Sequence, residues 1–398
     1  MASPRSRSAG LALVDQIVFS AGSLLVVLFA ARVATLGEFA TFSAIYGIIA
    51  VWNGLNRSLF AEHALLASAS DPALGRRMHG LAFAAACGFA AAGSGLVILI
   101  GELFLASSTH LNVAMGMALI AVVLQDVVRG FLISRQLFGH LVLLDLLWVL
   151  ALAGGVAVLM WFGSVTPVQI GFAWAAALYL SFSIGVAFTA LCPVIDGMFG
   201  WLRTVRGPGG ALSLEFLTGF GMPQLVILVA AALGVSEVAA GLRILQVTFA
   251  GVSVGVQGLR GLVLARGFGT RLLSLRGVQV AVVTATSVNA AVFLIEPWEL
   301  GETLFGASWS LASPAVLWLA FAEKALAATA SVRSWELRLQ SKFRQAATAR
   351  IVGGLASLSL GLTPVLFGGG LSLVMFGLVL GAVITQTMYG RAIRKGVS

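Results

Sequence analysis

The sequence predicts an all-α, polytopic membrane protein, with about twelve transmembrane helices in two six-helix lobes. Three observations carry that expectation. Hydrophobic residues make up 59% of the chain, charged residues only 10%, and the mean hydropathy is +1.02, values far from those of a water-soluble domain. The apolar residues fall in runs close to the roughly 20 residues that cross a hydrocarbon core of about 30 Å. Basic residues collect in alternate connections, the positive-inside pattern of a multi-pass protein.

The first run, 10–33, follows Arg5 and Arg7. It is too long for a signal peptide and carries Asp15 and Gln16, so it is read as span one. Span two, 39–66, follows the turn Leu36-Gly37-Glu38. Spans three to six are 79–100, 111–133, 141–162 and 167–191. The segment 193–211 contains Pro193, Gly207, Pro208 and Gly209, with Arg203 and Arg206, and reads as a cytoplasmic linker. It divides an N-terminal lobe, 1–192, from a C-terminal lobe, 212–398. Six further spans follow at 212–233, 237–264, 274–295, 309–331, 346–367 and 370–390. Twelve crossings use about 260 residues and leave only short connections, so a separate catalytic module is not expected and the chain is not read as an enzyme.

The balance of 24 basic against 15 acidic residues would suggest a nucleic-acid partner in a soluble protein. Here Arg76/Arg77, Arg135, Arg203/Arg206, Arg266/Arg271/Arg276, Arg338/Lys342/Arg344/Arg350 and Arg391/Arg394/Lys395 all fall on the side of the N-terminus. Glu38, Glu102, Glu296, Glu299 and Glu302 fall opposite, with Arg32 as the main basic exception. Both termini are therefore expected to be cytoplasmic, with anionic lipid rather than nucleic acid as the partner of the positive face. Trp161, Trp298 and Trp309 stand at expected outer boundaries and Trp201 at an inner one, where indole favours the headgroup level. Cys87 and Cys192 have neither framework nor metal spacing and read as packing residues. No nucleotide loop or Cys/His cluster appears in the sequence, so neither cofactor nor metal is expected.

Ionisable groups inside spans mark pathways more often than defects. At the inner end of span two, Asn53 and Arg57 share a helical face, as do Ser58 and Glu62. Asn53-Gly54-Leu55-Asn56 recurs as Gln257-Gly258-Leu259-Arg260, and Asp15 is matched by Glu215. Six spans per half make these parallel repeats, related by a pseudo-two-fold axis along the membrane normal, with a site between them near the midplane. Arg57 and Arg260 are the expected cations of that site. Asn53, Asn56, Gln257 and Arg243 complete the expected binding set. Arg57, and either arginine of span eight, could instead snorkel to its nearer interface. Asp15, Glu62 and Glu215 are candidate proton or sodium sites, although a helix dipole could equally stabilise the first and last. Asp126 and Arg129 are read as neutralising each other at i,i+3 spacing. Glu323 and Lys324 are adjacent, so they are read as pointing different ways. Pro223, after Gly219-Phe220-Gly221-Met222, removes a backbone bond within span seven and is a candidate gating hinge.

Several stretches carry a family resemblance in order: Val14-Asp15-Gln16, Ala30-Ala31-Arg32, Leu36-Gly37-Glu38-Phe39 and Gly54-Leu55-Asn56-Arg57 with Glu62. Leu124-Gln125-Asp126-Val127-Val128-Arg129 and Asp145-Leu146-Leu147-Trp148 continue the set. Together they resemble bacterial polysaccharide-exporter flippases of the multidrug/oligosaccharidyl-lipid/polysaccharide exporter superfamily, most clearly over the first 150 residues or so. The resemblance implies two lobes around a cavity lined by spans one, two, seven and eight, and alternating access in the bacterial plasma membrane. It also implies an undecaprenyl-diphosphate-linked oligosaccharide as substrate, with other membrane proteins of polysaccharide assembly as partners. Cavity cations would meet the diphosphate, and Arg57 and Arg260 match best by position. The chain departs from a strongly basic cavity, since few other arginines lie deep. A cation-coupled exporter of small organic molecules is the alternative; such a site should rely on carboxylates and aromatics. A membrane polymerase or ligase would need larger outer loops.

Overall fold

The computed structural model describes residues 4–70, 72–163, 165–252, 256, 275–295, 299–340 and 342–394. Among them there is no strand. The helices, in chain order, are α1 Pro4–Val33, α2 Leu36–Asn56, α3 Glu62–Ser70, α4 Pro72–Phe104, α5 Thr109–Ser134, α6 Phe138–Phe162, α7 Pro167–Thr189 and α8 Met198–Phe216. They continue with α9 Met222–Ala232, α10 Ser236–Thr248, α11 Leu275–Ile295, α12 Glu299–Phe305, α13 Pro314–Leu339, α14 Phe343–Leu366 and α15 Leu371–Arg394. Nine of the described helical stretches are long and apolar enough to cross a membrane. The chain is an all-helical, multi-pass membrane protein.

Local chemistry sets where many helices begin. Thr35 and Glu38 form a reciprocal cap at the start of α2, with Thr35 N–H donating to Glu38 Oε2 at 2.8 Å and Glu38 N–H to Thr35 Oγ1 at 3.4 Å. Thr166 and Gln169 repeat the device before α7, with Pro167 in the first turn. Ser108 and Ser313 cap α5 and α13. Each cap satisfies a backbone donor that the first turn of a helix leaves without an intrahelical partner.

The chain divides into two compact units. Unit 1 comprises Met1–Ala34 and Ile45–Leu217; unit 2 comprises Thr35–Ala44 and Thr218–Ser398. In unit 1, α5 is the central helix, buried from Leu111 to Leu132 apart from a few positions, and it packs on α4 and α7. In unit 2, α15 packs along α13 and α14, and α9 lies against α10 and α14. Small residues bring these helices close. At Gly354 a β-carbon would strike the Thr218 carbonyl of the neighbouring element, so only glycine allows that approach.

Several expectations are corrected. The segment read as a linker is helical from Met198. Trp201 and Leu202 pack on a core of Phe60, Ala64 and Ala82 and Val205 is buried, while Arg203 and Arg206 face outward. That i, i+1, i+4 apolar spacing outweighs the Gly-Pro-Gly sequence. Trp201 therefore packs inside unit 1, its ring 6.2 Å from that of Phe60. Trp309 is a core side chain, stacked on Phe305 at 5.5 Å; Trp161 is largely exposed, and Trp298 lies outside the described residues. Cys87 and Cys192 are exposed free thiols rather than packing residues.

Helix α8 also closes on span two, because the Phe216 ring fills the space beside Gly54. Gly54→Leu is expected to overpack this contact and cost about 1–3 kcal/mol, read as a lower Tm of the purified protein. Gly88→Leu, where a β-carbon meets nothing within 4 Å, should leave Tm unchanged.

Candidate functional site: a buried ion network and a half-exposed arginine

Span two does not run as one α-helix. A π-turn, Arg57–Ala61, separates α2 from α3, and the Glu62 N–H donates to the Arg57 carbonyl five residues back. A π-turn inserts one residue, shifts the face on which later side chains emerge and is frequent at functional sites. Helix α8 packs against it. The turn directs Arg57 toward Asp126 on α5, with Arg57 Nε donating to Asp126 Oδ2 at 3.2 Å and Nη2 donating to Oδ1. Asp126 is almost fully buried, whereas the Arg57 side chain remains 48% exposed.

This geometry leaves part of the guanidinium in use and part of it presented. Arginine carries five N–H donors in a flat fork. The Nε/Nη2 edge is held by Asp126, so the Nη1/Nη2 edge faces away and can take a second bidentate partner. A carboxylate that holds one edge also fixes the rotamer, which lowers the ordering cost of binding on the other.

One turn along α5, Arg129 is enclosed. Its Nη2 donates to Asp15 Oδ2 at 3.0 Å, its Nη1 donates to Asp145, and its guanidinium lies 4.3 Å from the centre of the Phe19 ring. Asp126 and Arg129 do not form the i,i+3 pair expected from spacing; each finds its partner on another helix. Arg129 thereby ties α1, α5 and α6 together. The network has three carboxylates, Asp15, Asp126 and Asp145, and two guanidiniums, one negative charge in excess. Glu62 is half-buried beside the π-turn and makes no ion pair among the described residues. Asn53 is half-buried, and Asn56 is wholly buried, which closes it to a ligand in this conformation.

The remaining candidates are dispersed. Arg243, on α10, is 3% exposed and donates to the Ser43 carbonyl at 2.6 Å, Gln224 Oε1 at 3.0 Å and Gln246 Oε1 at 3.0 Å, all within unit 2. In this conformation its guanidinium is enclosed by these three acceptors. Arg260 and Gln257 lie outside the described residues. Glu215 is half-buried on α8, within unit 1. Pro223 stands in the first turn of α9, directly after a second π-turn, Leu217–Gly221. Its missing N–H therefore falls where the helical ladder is already interrupted. Glu323 and Lys324 pair with each other at 2.9 Å, contrary to the divergence expected of neighbours. Among the described residues no three His, Cys, Asp or Glu side chains gather as a metal site. The sequence pointed to Arg57 and Asp15 individually, and to Asp126 only as a neutralising partner of Arg129. Asp145 was visible only as part of a family resemblance, because its partner is sixteen positions away on another helix.

No protein-family profile and no curated protein sequence matches the chain. Solved structures do. The lipid II flippase MurJ in an inward closed conformation is 12% identical over 96% of this chain and 87% of its own, with a TM-score of 0.70. A MATE transporter in complex with MaD5 is 12% identical over 98% and 94%, with a TM-score of 0.67. An inward-facing multidrug resistance MATE family transporter of the MOP superfamily is 13% identical over 98% and 95%, at 0.63. The chain thus shares its overall fold with these solved structures.

Proposed function

We propose that this protein is a flippase that carries an undecaprenyl-diphosphate-linked oligosaccharide across the bacterial plasma membrane by alternating access, for surface polysaccharide synthesis. The observation that carries the proposal is Arg57, a half-exposed guanidinium held on one edge by a buried carboxylate. Its open edge suits the paired oxygens of a diphosphate, which a lysine ammonium would not match. Arg260 is the second cation of the proposed site. Arg243, bonded on three sides, supports the fold of unit 2. The fold shared with a lipid II flippase agrees with a lipid-linked substrate.

The acidic excess around Arg129 supplies a place for a coupling cation, with Asp15 as the carboxylate nearest the chain start. The same excess, with MATE transporters at comparable similarity, favours a second reading, export of small organic cations. Reconstitution into vesicles separates the two. Transfer of a fluorescent prenyl-diphosphate oligosaccharide between leaflets is expected, with no accumulation of an organic cation; the reverse result would select the exporter.

Pro223 beside its π-turn is the proposed hinge. Pro223→Ala removes the ring that fixes the backbone beside the π-turn and is expected to slow transfer several-fold at equal abundance; an unchanged rate would make the break static. Loop charge sets the proposed orientation. In a background with both cysteines replaced by serine, Gly370→Cys should react with an impermeant thiol reagent added to intact cells and Gly207→Cys should not. Both positions accept a side chain without contact, and labelling at 207 would overturn the topology.

A further inference from the structure

Unit 2 holds a cation that the proposed transport site does not use. Arg350, in the first half of α14, lines a cleft of about 50 Å³ together with Thr218, Gly219, Pro223, Glu323 and Ser357. The π-turn Leu217–Gly221 forms one wall, and its Gly219 lies so close to the Arg350 guanidinium that a β-carbon there would strike it. Although the sequence groups Arg350 with a basic connection, it stands within the helix, with Ser357 seven residues further on the same face.

The electrostatics of this cleft are unbalanced. Glu323 is the cleft's carboxylate, and it is bound to Lys324 at 2.9 Å, with the two side chains only 15% and 24% exposed. Among the described residues neither Arg350 nor Ser357 has a hydrogen-bond or ion-pair partner. Two cations against one carboxylate leave one positive charge. A half-buried guanidinium without a counter-charge is costly, and its planar fork is built for an oxyanion. The volume exceeds the roughly 30 Å³ of a water molecule, enough to admit the oxygens of one small anionic group.

The geometry points to an anion site in unit 2 that takes a phosphate group, with Arg350 as bidentate donor and the Ser357 hydroxyl as a second donor. The group is either a free phosphate or the headgroup of an anionic lipid. Because the cleft lies wholly within unit 2, the site stands or falls independently of Arg57.

The test uses the full-length purified protein with two probes. Inorganic phosphate is titrated in detergent, and phosphatidic acid is added to nanodiscs of zwitterionic lipid, with Tm as the readout. At least one probe is expected to raise the Tm of the wild type. Arg350→Gln should weaken that response by roughly tenfold or more, and Ser357→Ala several-fold. Without probe, Arg350→Gln should be at least as stable as the wild type, because it removes an uncompensated charge. Arg344→Gln, an exposed position six residues earlier, should respond like the wild type. A response to phosphate identifies a free anion, and a response to phosphatidic acid alone identifies a lipid headgroup. No wild-type response to either probe overturns the site. So does an unchanged response in both Arg350→Gln and Ser357→Ala, or an equal loss in Arg344→Gln.

Discussion

Arg129→Gln is expected to unfold unit 1 more readily than any surface substitution, by about 3–5 kcal/mol. Arg129 is 5% exposed and its partners Asp15 and Asp145 are 4% and 0% exposed. Removing the guanidinium leaves two buried carboxylates facing a neutral amide. Stability of a domain is on the order of 5–15 kcal/mol in total, so the loss should appear as a sharp fall in Tm and in the yield of monodisperse protein. The intrinsic fluorescence of Trp148, whose ring stands 6.1 Å from that of Phe19, gives a local probe. A triple variant, Asp15→Asn/Arg129→Gln/Asp145→Asn, removes both signs of charge and should recover most of the Tm. A single variant with wild-type Tm would mean that the network does not hold α1, α5 and α6 together.

Arg243→Gln is expected to be the second most damaging change, and in a different way from any substitution at Arg57. The Ser43 carbonyl, Gln224 and Gln246 would each lose a charged donor. An acceptor left unmet in a buried place costs about 1–3 kcal/mol, so a total near 3 kcal/mol or more is expected, read as lower Tm. The molecules that remain folded should keep wild-type affinity for substrate. A fall in affinity with no change in Tm would return Arg243 to the binding set.

Most of the long helices were legible because each is an apolar run of membrane-spanning length, whereas caps such as Thr35 with Glu38 and Thr166 with Gln169 emerged only in the structure. Helix α8 was not, since Gly207, Pro208 and Gly209 masked the apolar stripe of Trp201, Leu202 and Val205. The site was half legible. Spacing identifies which residues share a helical face, which is how Asn53 and Arg57 stood out together and why Asp126 was paired with Arg129. It does not say which helix lies opposite, and Arg129 reaches Asp15 across 114 positions. The π-turns at Arg57–Ala61 and Leu217–Gly221 have no sequence signature of their own; they follow from packing, with α8 against the first and α14 beside the second.

The central claim is that Arg57 presents one edge of its guanidinium to a diphosphate while Asp126 holds the other. Arg57→Ala alone would strand the buried Asp126, so the direct measurement uses Arg57→Gln/Asp126→Asn, in which both charges are removed. The affinity of purified wild type and double variant for a prenyl-diphosphate glycan is measured in nanodiscs, alongside Arg57→Lys. One charge-assisted contact is worth roughly 1.5–3 kcal/mol, so the double variant should bind roughly tenfold or more weakly, with Arg57→Lys between it and the wild type. Wild-type affinity in a folded double variant would contradict the claim and leave Arg57 and Asp126 as a structural pair.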